Sequence, residues 1–185
     1  MLKSTQFDQI KRNLPLNTRL LAVSKGQTVD SIKILCDKGQ IDFGESRLQE
    51  ALPKMNALTK YKNIRWHFIG RLQRNKVRGV VKAFEYIHSV DSFPLAERIS
   101  RIAGEEGQNP KILFQIKFYE DPSKGGFTVD QFKTNWSLLN GLPNISLIGL
   151  MVISPIKLNL EKRQTLFRNC RNLANEFSLE HCSMG

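Results

Sequence analysis

Lys25 stands where an apolar run breaks, since Leu20-Leu21-Ala22-Val23 is followed at once by Ser24-Lys25-Gly26-Gln27. A run of this kind, with the β-branched Val23 in it, reads as a buried strand of a parallel sheet. A lysine just past such a strand lies where α/β proteins gather their ligands. Its ammonium group can hold a phosphate, and its amine can attack an aldehyde to form a Schiff base. The plain alternative is a solvated lysine at a strand end. Polar groups recur after the other apolar runs too: Glu45 and Ser46 follow 41–44, and His67 with Arg71 borders 64–70. Ser89 and Asp91 close 86–91, Lys117 closes 111–118, Ser154 follows 145–152, and Ser183 lies in 179–185. Binding and catalytic groups of a barrel come from the ends of different strands, so the recurrence carries more weight than any one residue.

Several of these residues have a bland reading beside the chemical one. His67, between Trp66 and Phe68, is either a ligand-contacting imidazole or a hydrogen-bonded core histidine. His88 and His181 are read as structural. Ser123-Lys124-Gly125-Gly126 lacks the spacing of a P-loop and reads as a flexible connection. Arg71, Arg74, Lys76, Arg78 and Lys82 form a basic cluster at a helix start, but no aromatic residues are interleaved for base stacking, which favours a solvated face. The chain has no G-x-S-x-G elbow, H-E-x-x-H or Walker A sequence, so hydrolase, zinc-protease and NTPase functions receive no motif support.

The elements that must position these groups alternate regularly. A short helix over 4–13 carries Phe7 and Ile10 and is stopped by Pro15. After the strand at 20–23 come a helix from Thr28 to about Lys38 with Gly39 as its stop, a strand at 41–45, and a helix from about 47 to 60 in which Pro53 introduces a kink. Strands at 64–70, 86–91, 111–118, 145–152 and 179–185 follow, with helices opening at 72, 93, about 129 and about 160. Seven strands alternating with helices predict parallel βαβ units and a TIM-type (β/α) barrel with about seven of its eight strands, an open doubly wound sheet being the alternative. The 185 residues, 41% of them hydrophobic, suit a single domain over 1–185.

The remaining composition narrows the setting. No apolar run approaches the ~20 residues of a membrane-spanning helix, and the N-terminus has no signal-peptide core, so a cytoplasmic protein with no membrane partner is expected. Cys36, Cys170 and Cys182 are too few and too scattered to predict disulfides or a structural metal. The 28 Lys and Arg residues against 17 Asp and Glu give a net charge of +11, which favours an anionic partner without choosing between nucleic acid and a phosphorylated ligand.

Six blocks then occur in a telling order. They are Leu21-Ala22-Val23-Ser24-Lys25; Asp42-Phe43-Gly44-Glu45 with Gln49-Glu50-Ala51; Trp66-His67-Phe68-Ile69-Gly70-Arg71-Leu72-Gln73 with Asn75-Lys76; Ile87-His88-Ser89-Val90-Asp91-Ser92; Gly149-Leu150-Met151; and Ser183-Met184-Gly185. Together they resemble the pyridoxal phosphate homeostasis proteins of the YggS/PROSC type. The resemblance implies a barrel like the N-terminal domain of alanine racemase, with pyridoxal 5′-phosphate (PLP) held as a Schiff base on Lys25. It further implies cofactor contacts from Ser46, His67, Ser89, Met151, Ser183 and Gly185, and no catalytic residue or metal. Proteins of this type are thought to bind, buffer or deliver the cofactor and so affect amino-acid and keto-acid balance. Implied partners are PLP itself and PLP-dependent apo-enzymes or a regulatory protein, with nucleic acid disfavoured and the chain a monomer.

Two departures accompany the resemblance. Many members carry Asn where this chain has Ser46, which has shorter reach. Members also continue past Ser-Met-Gly into an Arg-Ile-Gly-Thr-like segment that helps hold the phosphate, so the sequence reads as C-terminally incomplete. Competing functions are a PLP-dependent racemase or lyase, against which the absence of room for a second domain counts, and a basic nucleic-acid or protein-binding module using the Arg71–Lys82 face.

Overall fold

The computed structural model describes residues 2–119 and 125–185, so Ser123 and Lys124 of the expected connection lie outside the described residues. The chain divides into two compact units, Met1–His67 and Phe68–Gly185.

The first unit runs α1 (Leu2–Asn13), β1 (Ala22–Val23), α2 (Val29–Asp37), β2 (Asp42–Glu45) and α3 (Leu48–Ala57), and ends in β3 (Arg65–Phe68). Thr28 opens α2 by accepting the Ser31 amide on its hydroxyl at 3.2 Å, and Gly39 at φ +79° lets the chain leave it. The helix faces follow the spacing of their apolar residues. Ile32 of α2 and Leu58 just after α3 are buried against Phe43 of β2, and Val29, Leu35 and Trp66 close the edges of the cluster. Phe43 and Trp66 pack at 5.9 Å between ring centroids. Fully burying side chains of this size contributes roughly 1.5–3 kcal/mol each.

β1 and β2 are parallel, with Ala22 opposite Phe43 and Val23 opposite Gly44. The strand before Lys25 departs from its expected form, being two residues long with Val23 49% exposed. Among the described residues β1 has a strand neighbour only in β2, and Leu20, Leu21 and Ala22 are half-buried rather than buried.

The second unit contains a 3₁₀ turn (Arg74–Lys76), α4 (Val77–Ala83), β4 (Tyr86–Val90), α5 (Phe93–Glu105), β5 (Lys111–Lys117), β6 (Phe127–Thr128), α6 (Val129–Thr134), α7 (Trp136–Asn140), β7 (Ser146–Val152), α8 (Leu160–Glu176) and β8 (His181–Met184). Its strands pair in parallel as β4-β5-β7-β8, and short β6 extends the end of β5 with Ile116 opposite Phe127. All five β4 residues and the five central residues of β5 are buried, which explains the apolar run of β5, while β4 buries His88 and Ser89 with hydrogen-bond partners. Phe132 of α6 is wholly buried and meets the rings of Phe114, Trp136 and Phe177.

Two features differ from the sequence reading. β6 lies in what reads as a loop, because two residues cannot display a strand's alternation. The helix expected over 129–139 is two helices, since Asn135 turns its side-chain amide onto the Gln131 carbonyl at 2.8 Å and interrupts the run. No helix among the described residues is long and apolar enough to cross a membrane.

Candidate functional site

In the first unit the chemistry is built around one turn. Leaving β1, residues 24–27 fold back so that the Gln27 amide donates to the Ser24 carbonyl at 3.0 Å. Lys25 and Gly26 occupy the two central positions, and Gly26 has φ +69°. That positive φ is what the second central position of a type II turn requires, so glycine is needed for its backbone angle rather than for space. Lys25 is exposed, and among the described residues nothing pairs with its ammonium group.

The base of the turn is held from inside. Ser24 is buried; its amide donates to the Gly44 carbonyl at 2.9 Å and its hydroxyl to Glu45 Oε1 at 2.7 Å. Glu45 is wholly buried, and the Lys54 ammonium reaches the same Oε1 at 2.7 Å while donating to the Ser24 carbonyl at 2.8 Å. Lys54 lies three residues after buried Ala51 and four before buried Leu58, so it occupies a core-facing position of the α3 segment. A charge placed there needs a partner, and Glu45 is that partner. The opposite oxygen, Glu45 Oε2, has no hydrogen-bond partner among the described residues.

His67 and Asp42 form the neighbouring cluster. His67 is buried, with Nε2 2.9 Å from Asp42 Oδ1, and Arg65 reaches the same carboxylate at 2.8 Å. Burial works against ionisation of Asp42, but the hydrogen bonds from His67 and Arg65 outweigh it and hold the carboxyl below its ordinary range. Ser46 follows β2 half-buried.

In the second unit the strand register sets a row of side chains. Gln115 lies opposite Met151, and Met151 opposite Ser183, so the three share one face of β5, β7 and β8. His88 Nδ1 and the Ser183 hydroxyl share a hydrogen bond at 2.9 Å, which adds β4 to that face. Ser89, the next residue along β4, points to the other face, where its hydroxyl donates to the Gly70 carbonyl. Gln115 donates to the Gly125 carbonyl at 2.6 Å, and the Gly185 carbonyl accepts the Ser154 amide at 3.2 Å. Of the expected residues the structure thus groups Met151 with Ser183, while Ser89 is committed elsewhere.

Two residues of the basic cluster, Arg78 and Lys82, are answered by acids. Arg78 pairs with Glu105 and Glu106 at the end of α5, and Lys82 lies 3.3 Å from Glu106. Hydrogen bonds to Glu106 and then Glu105 raise the Arg78 pKa, the mark of a guanidinium already engaged.

Lys54 and Gln115 are not singled out by the sequence, and Asp42 enters there only as part of the Asp42-Phe43-Gly44-Glu45 block. Lys54 alone left a signal there, as a lysine at an apolar position of a helical pattern.

The aldehyde end of PLP fits what is present, because the chain offers an unengaged primary amine on a fixed turn at a strand end. Comparison with known proteins follows the same line. The family described as alanine racemase, N-terminal domain, matches residues 4–184. The pyridoxal phosphate homeostasis protein of Synechocystis sp. is 42% identical over 191 residues, covering 100% of this chain and 88% of that protein. The one from Pseudomonas aeruginosa is 34% identical over 175 residues, covering 92% and 75%. PipY of Synechococcus elongatus PCC7942 has been solved without PLP and with PLP bound. The two structures match with TM-scores of 0.94 and 0.92 at 39% and 38% identity, each over 98% of this chain and 88% of PipY. Alanine racemase of Clostridium difficile 630 matches with TM-score 0.77 at 15% identity, over 98% of this chain and 49% of that one, which establishes the shared fold. The expected alanine-racemase-like fold is therefore the observed one, and the chain belongs to the alanine racemase N-terminal-domain family, among its pyridoxal phosphate homeostasis proteins.

Proposed function

We propose that this chain holds PLP as a Schiff base on Lys25 and serves intracellular PLP homeostasis as a carrier that does not turn over amino acids. The observation that carries the reading is the exposed Lys25 amine, unengaged among the described residues, on a turn whose backbone is hydrogen-bonded to the end of β2. PipY, its relative at 38% identity, has been solved with PLP bound, and the relatives are named for PLP homeostasis. When bound, the cofactor supplies an aldehyde carbon on which the Lys25 nitrogen forms an imine with loss of water. The chain's own part is to present that nitrogen, and Lys25 does so from a turn too short to swing away.

The carrier role is favoured over a racemase by the difference in likeness. The alanine racemases match at 14 to 16% identity and by about half of their length, whereas the homeostasis proteins match at up to 42% over most of theirs. Ser46 and His67 in the first unit, and Ser89, Met151, Ser183 and Gly185 in the second, remain the proposed cofactor contacts. Met151 and Ser183 are the best supported of the second set, since they share a face with Gln115 and His88. Ser89 is the least supported, its hydroxyl being spent on Gly70. The same reading places the chain in the cytoplasm as a monomer that passes cofactor to apo-enzymes. Reduction with borohydride after mixing with PLP, followed by peptide mass mapping, tests the reading by locating the adduct.

A further inference from the structure

We propose that Lys54 is a positioning residue for Lys25, acting through the Ser24 carbonyl at the base of the turn; this deepens the reading of Lys25 as the aldehyde-binding residue and rests on it. The Ser24 carbonyl accepts two donors at once, the Gln27 amide at 3.0 Å, which closes the turn, and the Lys54 ammonium at 2.8 Å. The second donor comes from α3, so the peptide that joins Ser24 to Lys25 is tied to a helix rather than to the turn alone. Lys54 can do this because its own charge is anchored: Glu45 Oε1 lies 2.7 Å away and is shared with the Ser24 hydroxyl. Ser24, Glu45 and Lys54 are all buried, which keeps water from competing for the carbonyl.

The consequence concerns orientation. An amine that must meet an aldehyde gains from a backbone that is already in place, because the ordering has been done before the ligand arrives. Among the described residues nothing pairs with the Lys25 ammonium group to direct it, so its direction depends on the turn, and Lys54 ties the carbonyl of that turn to α3. One turn earlier in α3, the hydrogen bond from Arg47 holds the Glu50 carboxyl below its usual range against the opposing effect of desolvation, and the Gly26 amide adds a smaller contribution in the same direction. Residues 50 and 54 stand four apart on one helix face, and both address the Lys25 turn.

The test pairs a measurement on the free protein with one on the loaded protein. A Lys54→Met/Glu45→Gln double variant removes both buried charges together, so no lone charge is left inside. Native-state hydrogen exchange of the Gln27 amide, which reports the turn itself, is expected to quicken at least ~10-fold while the β5 amides stay unchanged. The rate at which PLP forms a borohydride-trappable adduct is expected to fall ~10-fold, with Lys25 still the residue modified. Lys54→Arg, which keeps a cationic donor, should restore both. Should the double variant fail to fold, Lys54→Gln/Glu45→Gln, which also leaves no lone charge and keeps a neutral donor at position 54, gives a graded version in which exchange at Gln27 must still quicken. Unchanged Gln27 exchange together with an unchanged trapping rate overturns the positioning role. If no adduct forms on Lys25 of the unaltered protein, the functional reading falls, while the exchange experiment still judges the tether.

Discussion

Lys54 and Glu45 form a buried ion pair at 2.7 Å, with the glutamate side chain wholly enclosed and the lysine side chain 11% exposed. Two charges taken from water cost more than most pairs return, so the pair by itself is weak evidence of stability. Breaking it is a different matter, because the survivor is left charged and unanswered. Lys54→Ala should destabilise the first unit by about 3–5 kcal/mol, read from urea unfolding. The Lys54→Met/Glu45→Gln double variant should lose much less, since neither charge remains. A double variant no more stable than Lys54→Ala would show that packing, not charge, holds this corner.

Acid should weaken the cluster around Asp42. Its carboxyl is held below its ordinary value of 3.8 when folded, so the unfolded chain binds that proton more readily. The stabilisation is therefore complete above the unfolded pKa and lost as pH falls through the folded one. Compared with Asp42→Asn, the unaltered protein should keep a constant stability advantage near neutrality and lose it between about pH 5 and pH 2. An advantage that grew on acidification would contradict the assignment.

Gly149 of β7 lies opposite His181 of β8. A Cβ at Gly149 would sit 2.1 Å from the His181 carbonyl oxygen, a backbone atom that cannot swing aside. Gly149→Ala should thus cost about 3 kcal/mol or more through forced separation of the strands. It should also raise hydrogen exchange across 181–184, including Ser183. Gly26→Ala, where added bulk meets nothing, should act through φ alone and cost about 1 kcal/mol or a little more.

Ser183 tests the second unit's share in cofactor binding. Ser183→Ala removes the hydroxyl that His88 Nδ1 meets at 2.9 Å while leaving the β7–β8 pairing in place. PLP affinity should fall about 10-fold, the size of one lost hydrogen bond. The trapped residue should remain Lys25. Equal affinity in variant and parent would remove Ser183 from the proposed contacts.

Much of this was legible in the residues, and what was not has a common cause. The break after Val23, the cap at Thr28 and the stop at Gly39 are local signals, and each marks a real boundary. Lys25 could be chosen for the same reason, because a lysine directly after an apolar run is visible without any fold. The exposure of Val23 was not visible, since burial of a strand residue depends on neighbours that the run does not contain. The row Gln115, Met151 and Ser183 exists only through strand register, over separations of 36 and 32 residues that no motif spans. The tie between Arg78 and Glu105 and Glu106 is likewise long-range, so two members of a cluster that reads as basic in sequence, Arg78 and Lys82, have acidic partners in space. Lys54 lies between these cases: its helical position was readable, but its partners Ser24 and Glu45 needed the fold.

The central claim is that Lys25 holds the cofactor, and the most direct measurement is the mass of the peptide that carries it. The protein is mixed with PLP, reduced with borohydride, digested and mapped. One cofactor mass on Lys25, absent from that position in Lys25→Ala with no compensating site, is the predicted result. Adduct spread over surface lysines at equal yield in the parent and in Lys25→Ala would contradict it.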